Sequence, residues 1–163
     1  MPYGVISGRP ALAQPIARVF TAKYMIYDMA LTSTRTPPRV LVVDDEESVR
    51  LFAERALRDA GYSVLLASDG SEALKVAEEQ GPFSLFILDV MMPQITGEEL
   101  SRRLRLVNPD VNVLYFTGYS DHLFEGRNVL WANESFIEKP LSVQALLEAV
   151  SFSLFGDTRG LRR

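Results

Sequence analysis

The sequence predicts a doubly wound α/β fold, in which helices cover both faces of a five-stranded parallel sheet. Short apolar runs alternate along the chain with longer segments whose apolar residues recur at helical spacing. The short runs are nearly continuous in apolar residues, as expected of strands buried on both faces. Strands that alternate with helices form a parallel sheet with right-handed crossovers. Its ligand crevice lies at the carboxyl ends of the strands.

The predicted strands are short and rich in β-branched and aromatic residues. They cover 40–43, 62–67, 83–88, 111–116 and 135–138. The predicted helices cover 47–60, 71–80, 98–107, 119–132 and 142–154, and Gly126 interrupts the fourth. We expect Leu100, Leu104 and Val107 to face the core from the third helix, and Val143 to begin the inward stripe of the last.

The chain divides into a leader at 1–38, a domain at 39–155 and a tail at 156–163. The leader holds five of the nine prolines and one acidic residue, Asp28. It is either flexible or forms a helix over 16–31 that docks on the domain or on a second copy, because Pro15 suits a first helical position. The tail is too short to be an output domain.

Composition excludes several classes of function. A net charge of −4 gives no basic face for nucleic acid, so we expect no DNA-binding domain in this chain. The absence of Cys excludes disulfides and thiolate metal sites. No apolar run approaches the ~20 residues of a membrane span, and the N-terminus lacks the apolar stretch of a signal peptide. The default is a cytoplasmic protein with no membrane association.

Charged and hydroxyl side chains follow the predicted strands. Asp44 and Asp45 follow the first strand, Asp89 the third, Thr117 the fourth and Lys139 the fifth. The topology gathers these residues at one rim. Two like charges ~4 Å apart cost about 4 kcal/mol at a surface-like dielectric, so clustered carboxylates need a counter-charge. Lys139 and a hard cation provide it, and an all-oxygen ligand set with few carboxylates fits Mg²⁺.

Such a rim suits phosphoryl transfer to a carboxylate. An aspartate can act as the nucleophile and form an aspartyl phosphate. The reaction needs in-line positioning and charge neutralisation, which Mg²⁺ and Lys139 can supply. The hydroxyl of Thr117 can donate a hydrogen bond to the phosphoryl group.

Several separated motifs resemble the receiver domains of bacterial two-component systems, over about 39–154. They are Val-Val-Asp-Asp-Glu at 42–46, Leu-Asp-Val-Met-Met-Pro at 88–93 with Gly97 downstream, Thr-Gly at 117–118 and Glu-Lys-Pro at 138–140. The resemblance implies a flavodoxin-like sheet of order 2-1-3-4-5 with five helices. It implies Asp89 as phosphoacceptor and Mg²⁺ bound by Asp45, Asp89 and the backbone carbonyl of Met91, with Asp44 acting mostly through water.

The resemblance also implies a conformational switch. Lys139 contacts a phosphoryl oxygen, Thr117 moves toward the phosphoryl group, and Phe136 swings inward as it does so. The Lys139–Pro140 bond is expected to be cis, and Pro93 and Gly97 are expected to shape the loop after Asp89.

The residues alone leave simpler interpretations open. Asp44 and Asp45 could cap the first helix, and Phe136 could be an ordinary core residue. A magnesium-dependent phosphatase usually has a second Asp two residues after its nucleophile, where this chain has Glu46. A nucleotide-binding domain would have a glycine-rich loop after the first strand, where acidic residues stand.

The expected partner is a histidine kinase or a histidine phosphotransfer protein. Leu51 lies beside the inward face of the first helix, near the acidic rim, and is a candidate contact for this donor. The chain is either a stand-alone receiver or a fragment of a larger regulator or hybrid kinase, and a homodimer is left open. We expect self-phosphorylation and slow self-dephosphorylation, because the bulky Met91 and Tyr119 offer no base to the hydrolytic water.

Overall fold

The computed structural model describes residues 36–118, 133–139 and 142–156. Five strands and four helices lie in these ranges: β1 Arg39–Val43, α1 Glu47–Asp59, β2 Ser63–Ala67, α2 Gly70–Gln80, β3 Leu85–Asp89, α3 Gly97–Val107, β4 Val113–Thr117, β5 Glu134–Glu138 and α4 Val143–Phe155. All neighbouring strands are parallel, in the order β2-β1-β3-β4-β5. The predicted fold is confirmed. The predicted helices 16–31 and 119–132 lie outside the described residues.

Side chains that alternate along the central strands fill two core layers. Leu41 and Val43 of β1 point into the layer with α2 and α3, whereas Val40 and Val42 point into the layer with α1 and α4. Every residue of β3 and β4 is buried. This explains why their sequences are apolar up to the last residue, and their parallel pairing places their carboxyl ends side by side.

Two inward-facing predictions are wrong. The side chain of Val107 is 89% exposed and that of Val143 is 47% exposed. Val107 is the last residue of α3 and Val143 the first of α4, so each lacks a further turn on one side to hold it against the sheet. The buried face of α3 instead includes Ser101, and Val111 continues the core after the helix.

Local capping fixes where the helices begin. The Asp69 side chain accepts hydrogen bonds from the amides of Ser71 and Glu72 at the start of α2. The Thr96 and Ser142 hydroxyls accept corresponding bonds at the starts of α3 and α4. Within the described ranges, no helix combines the length and apolar character needed to cross a bilayer.

Candidate functional site

Three carboxylates converge at the carboxyl ends of β1 and β3. Asp44 and Asp45 follow β1 directly, and Asp89 is the last residue of β3, its neighbour in the sheet. One carboxylate oxygen from each lies within 4.8 Å of the others. Asp44 is fully buried and Asp89 nearly so, whereas Asp45 is exposed to solvent. The predicted acidic cluster is therefore present, with one side open.

Lys139, which follows β5, places an ammonium group against two of these carboxylates. Its Nζ donates to Asp44 Oδ2 at 2.8 Å and to Asp89 Oδ1 at 3.2 Å. Its backbone N–H donates to the carbonyl oxygen of Thr117 at 2.8 Å. The topology thus joins side chains that are 95 and 50 residues apart in sequence.

Burial and charge act on both members of this ion pair. Burial raises the pKa of Asp89, and the charges of Asp44 and Asp45 add to this, while Lys139 opposes it. For Lys139, burial lowers the pKa, but the hydrogen bond to Asp44 and the charge of Asp89 outweigh it, so the pKa lies above its usual value. The lysine therefore remains charged, and the carboxylates still outnumber it.

Asp44 supports the loop after β1 and does not cap the helix. Its Oδ1 accepts a hydrogen bond from the amide of Glu46 at 2.9 Å, while Oδ2 is bound to Lys139. Glu46 is itself the N-cap residue of α1, where no side-chain cap bond forms. Helix capping by Asp44 and Asp45 is thus not what the structure shows.

Thr117 and Phe136 lie on the adjacent strands β4 and β5. Thr117 ends β4 and is buried, whereas Phe136 lies in β5 and is 41% exposed. The interpretation of Phe136 as a core residue is therefore wrong, and its ring has the outward orientation. Met91, two residues after Asp89, is 54% exposed.

Gly97 has a steric role that the sequence did not reveal. A Cβ at this position would overlap the carbonyl oxygen of Asp89, and it would lie 3.0 Å from the carbonyl carbon and 3.2 Å from Val90 Cα. The amide of Gly97 also donates to Val90 O at 3.1 Å. The start of α3 is thus packed against the backbone of the phosphoacceptor candidate. Pro140 lies outside the described residues, so the cis Lys139–Pro140 bond stays a prediction.

One side chain at the site was missed at the sequence level. The guanidinium Nη1 of Arg50, in α1, donates to the backbone carbonyl oxygen of Asp44 at 2.6 Å. An arginine one turn into a helix after an acidic loop was the available signal. A charged residue in a helix is most often on its solvent-facing side, so the sequence does not indicate this contact with the loop.

The fold and the cluster together define a class: a five-stranded doubly wound domain with carboxylates and one lysine at the carboxyl ends of its strands. The model of the response regulator receiver domain family matches residues 40–151. This chain therefore belongs to that family.

Curated relatives include a sensor kinase, a response regulator and a receiver protein. Over 112 residues, the chain is 38% identical to the sensor kinase CckA of Brucella abortus, covering 68% of this chain and 12% of the relative. It is 40% identical to the response regulator MprA of Mycolicibacterium vanbaalenii, covering 68% and 48%. Identity to the receiver protein CpdR of Brucella abortus is 30%, covering 69% and 92%. The chain thus spans about half the length of MprA and a much smaller part of CckA.

Solved structures agree with this assignment. The receiver domain of the hybrid histidine kinase CckA superposes with a TM-score of 0.61 at 38% identity, covering 71% of this chain and 98% of that one. The response regulator TrrA of Thermotoga maritima, solved in complex with Mg²⁺–BeF, superposes with a TM-score of 0.63 at 34% identity, covering 72% and 99%. The predicted family and fold are confirmed.

Proposed function

We propose that this receiver domain is a signalling switch phosphorylated on Asp89. The observation that carries the proposal is the contact of Lys139 with both Asp44 and Asp89 inside a cluster of three carboxylates. A carboxylate oxygen of Asp89 forms a bond to phosphorus while the bond between phosphorus and the donor breaks. The product is an acyl phosphate, whose added charge the Lys139 ammonium partly balances.

The donor set of the cluster fits a hard dication. Three carboxylates within 4.8 Å and a single contacting ammonium leave two negative charges in excess. Asp45, Asp89 and the backbone carbonyl of Met91 would hold Mg²⁺. Asp44 would act through water, because both its carboxylate oxygens already accept hydrogen bonds. When bound, the ion would neutralise charge on the phosphoryl oxygens.

The output is a shift between two arrangements of Thr117 and Phe136. Thr117 lies at the end of β4 and Phe136 on the neighbouring edge strand β5, with its ring outward. A hydrogen bond from the Thr117 hydroxyl to the phosphoryl group draws β4 toward Asp89 and opens space for the Phe136 ring. A doubly charged group with three acceptor oxygens supplies the few kcal/mol that such a shift needs, on the order of 5 kcal/mol for a nearly complete one.

The proposed donor is a histidine kinase or a histidine phosphotransfer protein in the cytoplasm. Receiver domains accept phosphoryl groups from histidine kinases, and relatives here include a hybrid kinase and a short receiver protein. The chain acts either alone or as part of a larger regulator. Leu51 is 51% exposed and lies in α1, the helix that follows the acidic loop, which supports it as a contact for the donor.

The test is incubation with Mg²⁺ and acetyl phosphate, followed by intact-mass measurement. Wild type gains the mass of one phosphoryl group, and Asp89→Ala does not. Asp110→Ala, at an exposed aspartate remote from the cluster, serves as the matched control and labels like wild type. Labelling of Asp89→Ala at the wild-type rate would refute the assignment.

Slow self-dephosphorylation completes the proposal. Met91 is bulky and exposed beside Asp89 and offers no base to an attacking water. After the phosphodonor is removed, labelled protein should lose its phosphoryl group over minutes or longer. Met91→Glu, which adds a base at this position, should shorten the lifetime. A wild-type lifetime of seconds would contradict this part of the proposal.

A further inference from the structure

Hydrogen bonds from three directions close the loop that carries Asp44 and Asp45. The Asp44 amide donates to Ala67 O at 3.3 Å, which ties the loop to the end of β2. The Glu46 amide donates to Asp44 Oδ1 at 2.9 Å. The Arg50 guanidinium donates to Asp44 O at 2.6 Å. The last bond comes from a charged donor, and charge-assisted hydrogen bonds are about twice as strong as neutral ones.

The half-buried Arg50 is itself held in place. It lies one turn into α1, and its amide donates to Glu46 O at 3.2 Å. Hydrogen bonds from Ser68 lower the pKa of Glu72 at the start of α2, and the charge of Arg50 lowers it further. The direct hydrogen bond of the guanidinium goes to the acidic loop, at Asp44 O.

We propose that Arg50 is a positioning residue for the metal site, which it serves by fixing the backbone of Asp44 so that the Asp45 carboxylate is held toward Asp89. This inference rests on the proposed function, because it assumes that the cluster binds Mg²⁺. Arg50 acts on the site in two opposite ways. Its positive charge repels a dication, whereas its hydrogen bond orders the loop that binds one. The bond to Asp44 makes ordering the larger effect.

These two effects predict opposite changes in the affinity for Mg²⁺ when the guanidinium is removed. Arg50→Met keeps an unbranched apolar stem and removes both the charge and the donor. Arg55→Met removes the same charge from an exposed position of the same helix and is the matched control. If ordering dominates, calorimetric titration with MgCl₂ shows the dissociation constant of Arg50→Met raised about tenfold, the scale of outer-shell mutations at metal sites. Arg55→Met stays within about twofold of wild type, since exposed charges are screened.

Arg50→Lys keeps the charge and a donor and should recover part of the affinity lost in Arg50→Met. Unchanged or tighter binding of Mg²⁺ by Arg50→Met would overturn the proposal, because Arg50 would then affect the site only through its positive charge and not by ordering the loop. Equal loss in Arg55→Met would also overturn it, because the effect would then be one of net charge.

A metal-free measurement separates this inference from the proposed function. Amide hydrogen exchange at Glu46 reports the loop directly, and we expect it to be about tenfold faster in Arg50→Met than in Arg55→Met. Matching urea midpoints for the two variants ensure that the difference is local. If wild type fails to bind Mg²⁺, the proposed function fails, while the exchange of Glu46 still decides whether Arg50 orders the loop. Equal exchange in the two variants would refute the ordering role.

Discussion

Replacing Gly97 by alanine should destabilise the domain and disturb its phosphorylation site at the same time. The added Cβ would overlap the carbonyl oxygen of Asp89 and lie 3.2 Å from Val90 Cα. Both neighbours are backbone atoms, so no side-chain rotation can relieve the overlap. Either the start of α3 or the end of β3 must shift.

The size of the effect follows from two opposing contributions. Overpacking costs about 1–3 kcal/mol, and the upper end applies where the neighbour is rigid backbone. Alanine restricts the unfolded chain more than glycine does, which returns about 0.4–1 kcal/mol. The net loss is about 2 kcal/mol, equivalent to a decrease in Tm of roughly 7 °C for a domain of this size.

Urea denaturation of Gly97→Ala and Gly118→Ala tests this reasoning. Gly118 also lies at the rim, but a Cβ there would have no neighbour within 4 Å in the described structure. We expect Gly118→Ala to stay within about 1 kcal/mol of wild type, and Gly97→Ala also to accept phosphoryl groups from acetyl phosphate more slowly. A Gly97→Ala midpoint equal to that of wild type would refute the steric argument.

Further predictions concern charges. Glu72→Gln should lower the free energy of unfolding by about 0.5 kcal/mol at pH 7, a small value because the side chain is exposed. The hydrogen bonds from Ser68 lower the pKa of Glu72 from its ordinary value of 4.5, so this contribution to stability is present above pH 4.5 and is lost as the pH falls through the lowered pKa of the folded protein. Urea denaturation of wild type and Glu72→Gln at pH 7 and pH 3 measures it. The same difference in free energy of unfolding between the two proteins at both pH values would contradict the prediction. Lys139→Met should cost about 2 kcal/mol by urea denaturation without metal, because it leaves buried carboxylates uncompensated, whereas the exposed Lys75→Met should cost little. Asp89→Asn should raise the metal-free free energy of unfolding by about 1 kcal/mol, because it removes a buried like charge, and should lose most of the increase in Tm that Mg²⁺ gives wild type.

The site could be predicted from the sequence because it is formed by the order and direction of the strands and depends little on the packing of individual side chains. Continuous apolar runs identified the buried strands, and parallel pairing then required their carboxyl ends to meet. Asp44, Asp89 and Lys139 therefore converge although they are far apart in sequence. Small errors in the strand boundaries did not matter, because the residue that follows a strand stays at the same rim.

What the sequence could not predict depends on tertiary contacts. Glu134 lies one residue before the predicted fifth strand, 135–138. In the structure it begins β5, with its side chain 1% exposed, and Oε1 accepts a hydrogen bond from Tyr115 Oη at 2.9 Å and contacts Arg105 at 3.3 Å. Those partners lie in β4 and α3, so the local sequence around Glu134 does not indicate them. The same limit applies to Val107, since helical spacing does not show where the sheet beneath a helix ends.

The charge balance of the cluster links stability to ligand binding. Burial raises the pKa of Asp89 because the folded protein disfavours the ionised carboxylate, and Lys139 relieves this only in part. The unrelieved charge is also what attracts a dication and then a phosphoryl group accompanied by one. A substitution that stabilises the metal-free domain by removing this charge must therefore weaken Mg²⁺ binding. Across variants of Asp45 and Asp89, metal-free stability and Mg²⁺ affinity should change in opposite directions, whereas variants of Arg50 should lose affinity without gaining stability.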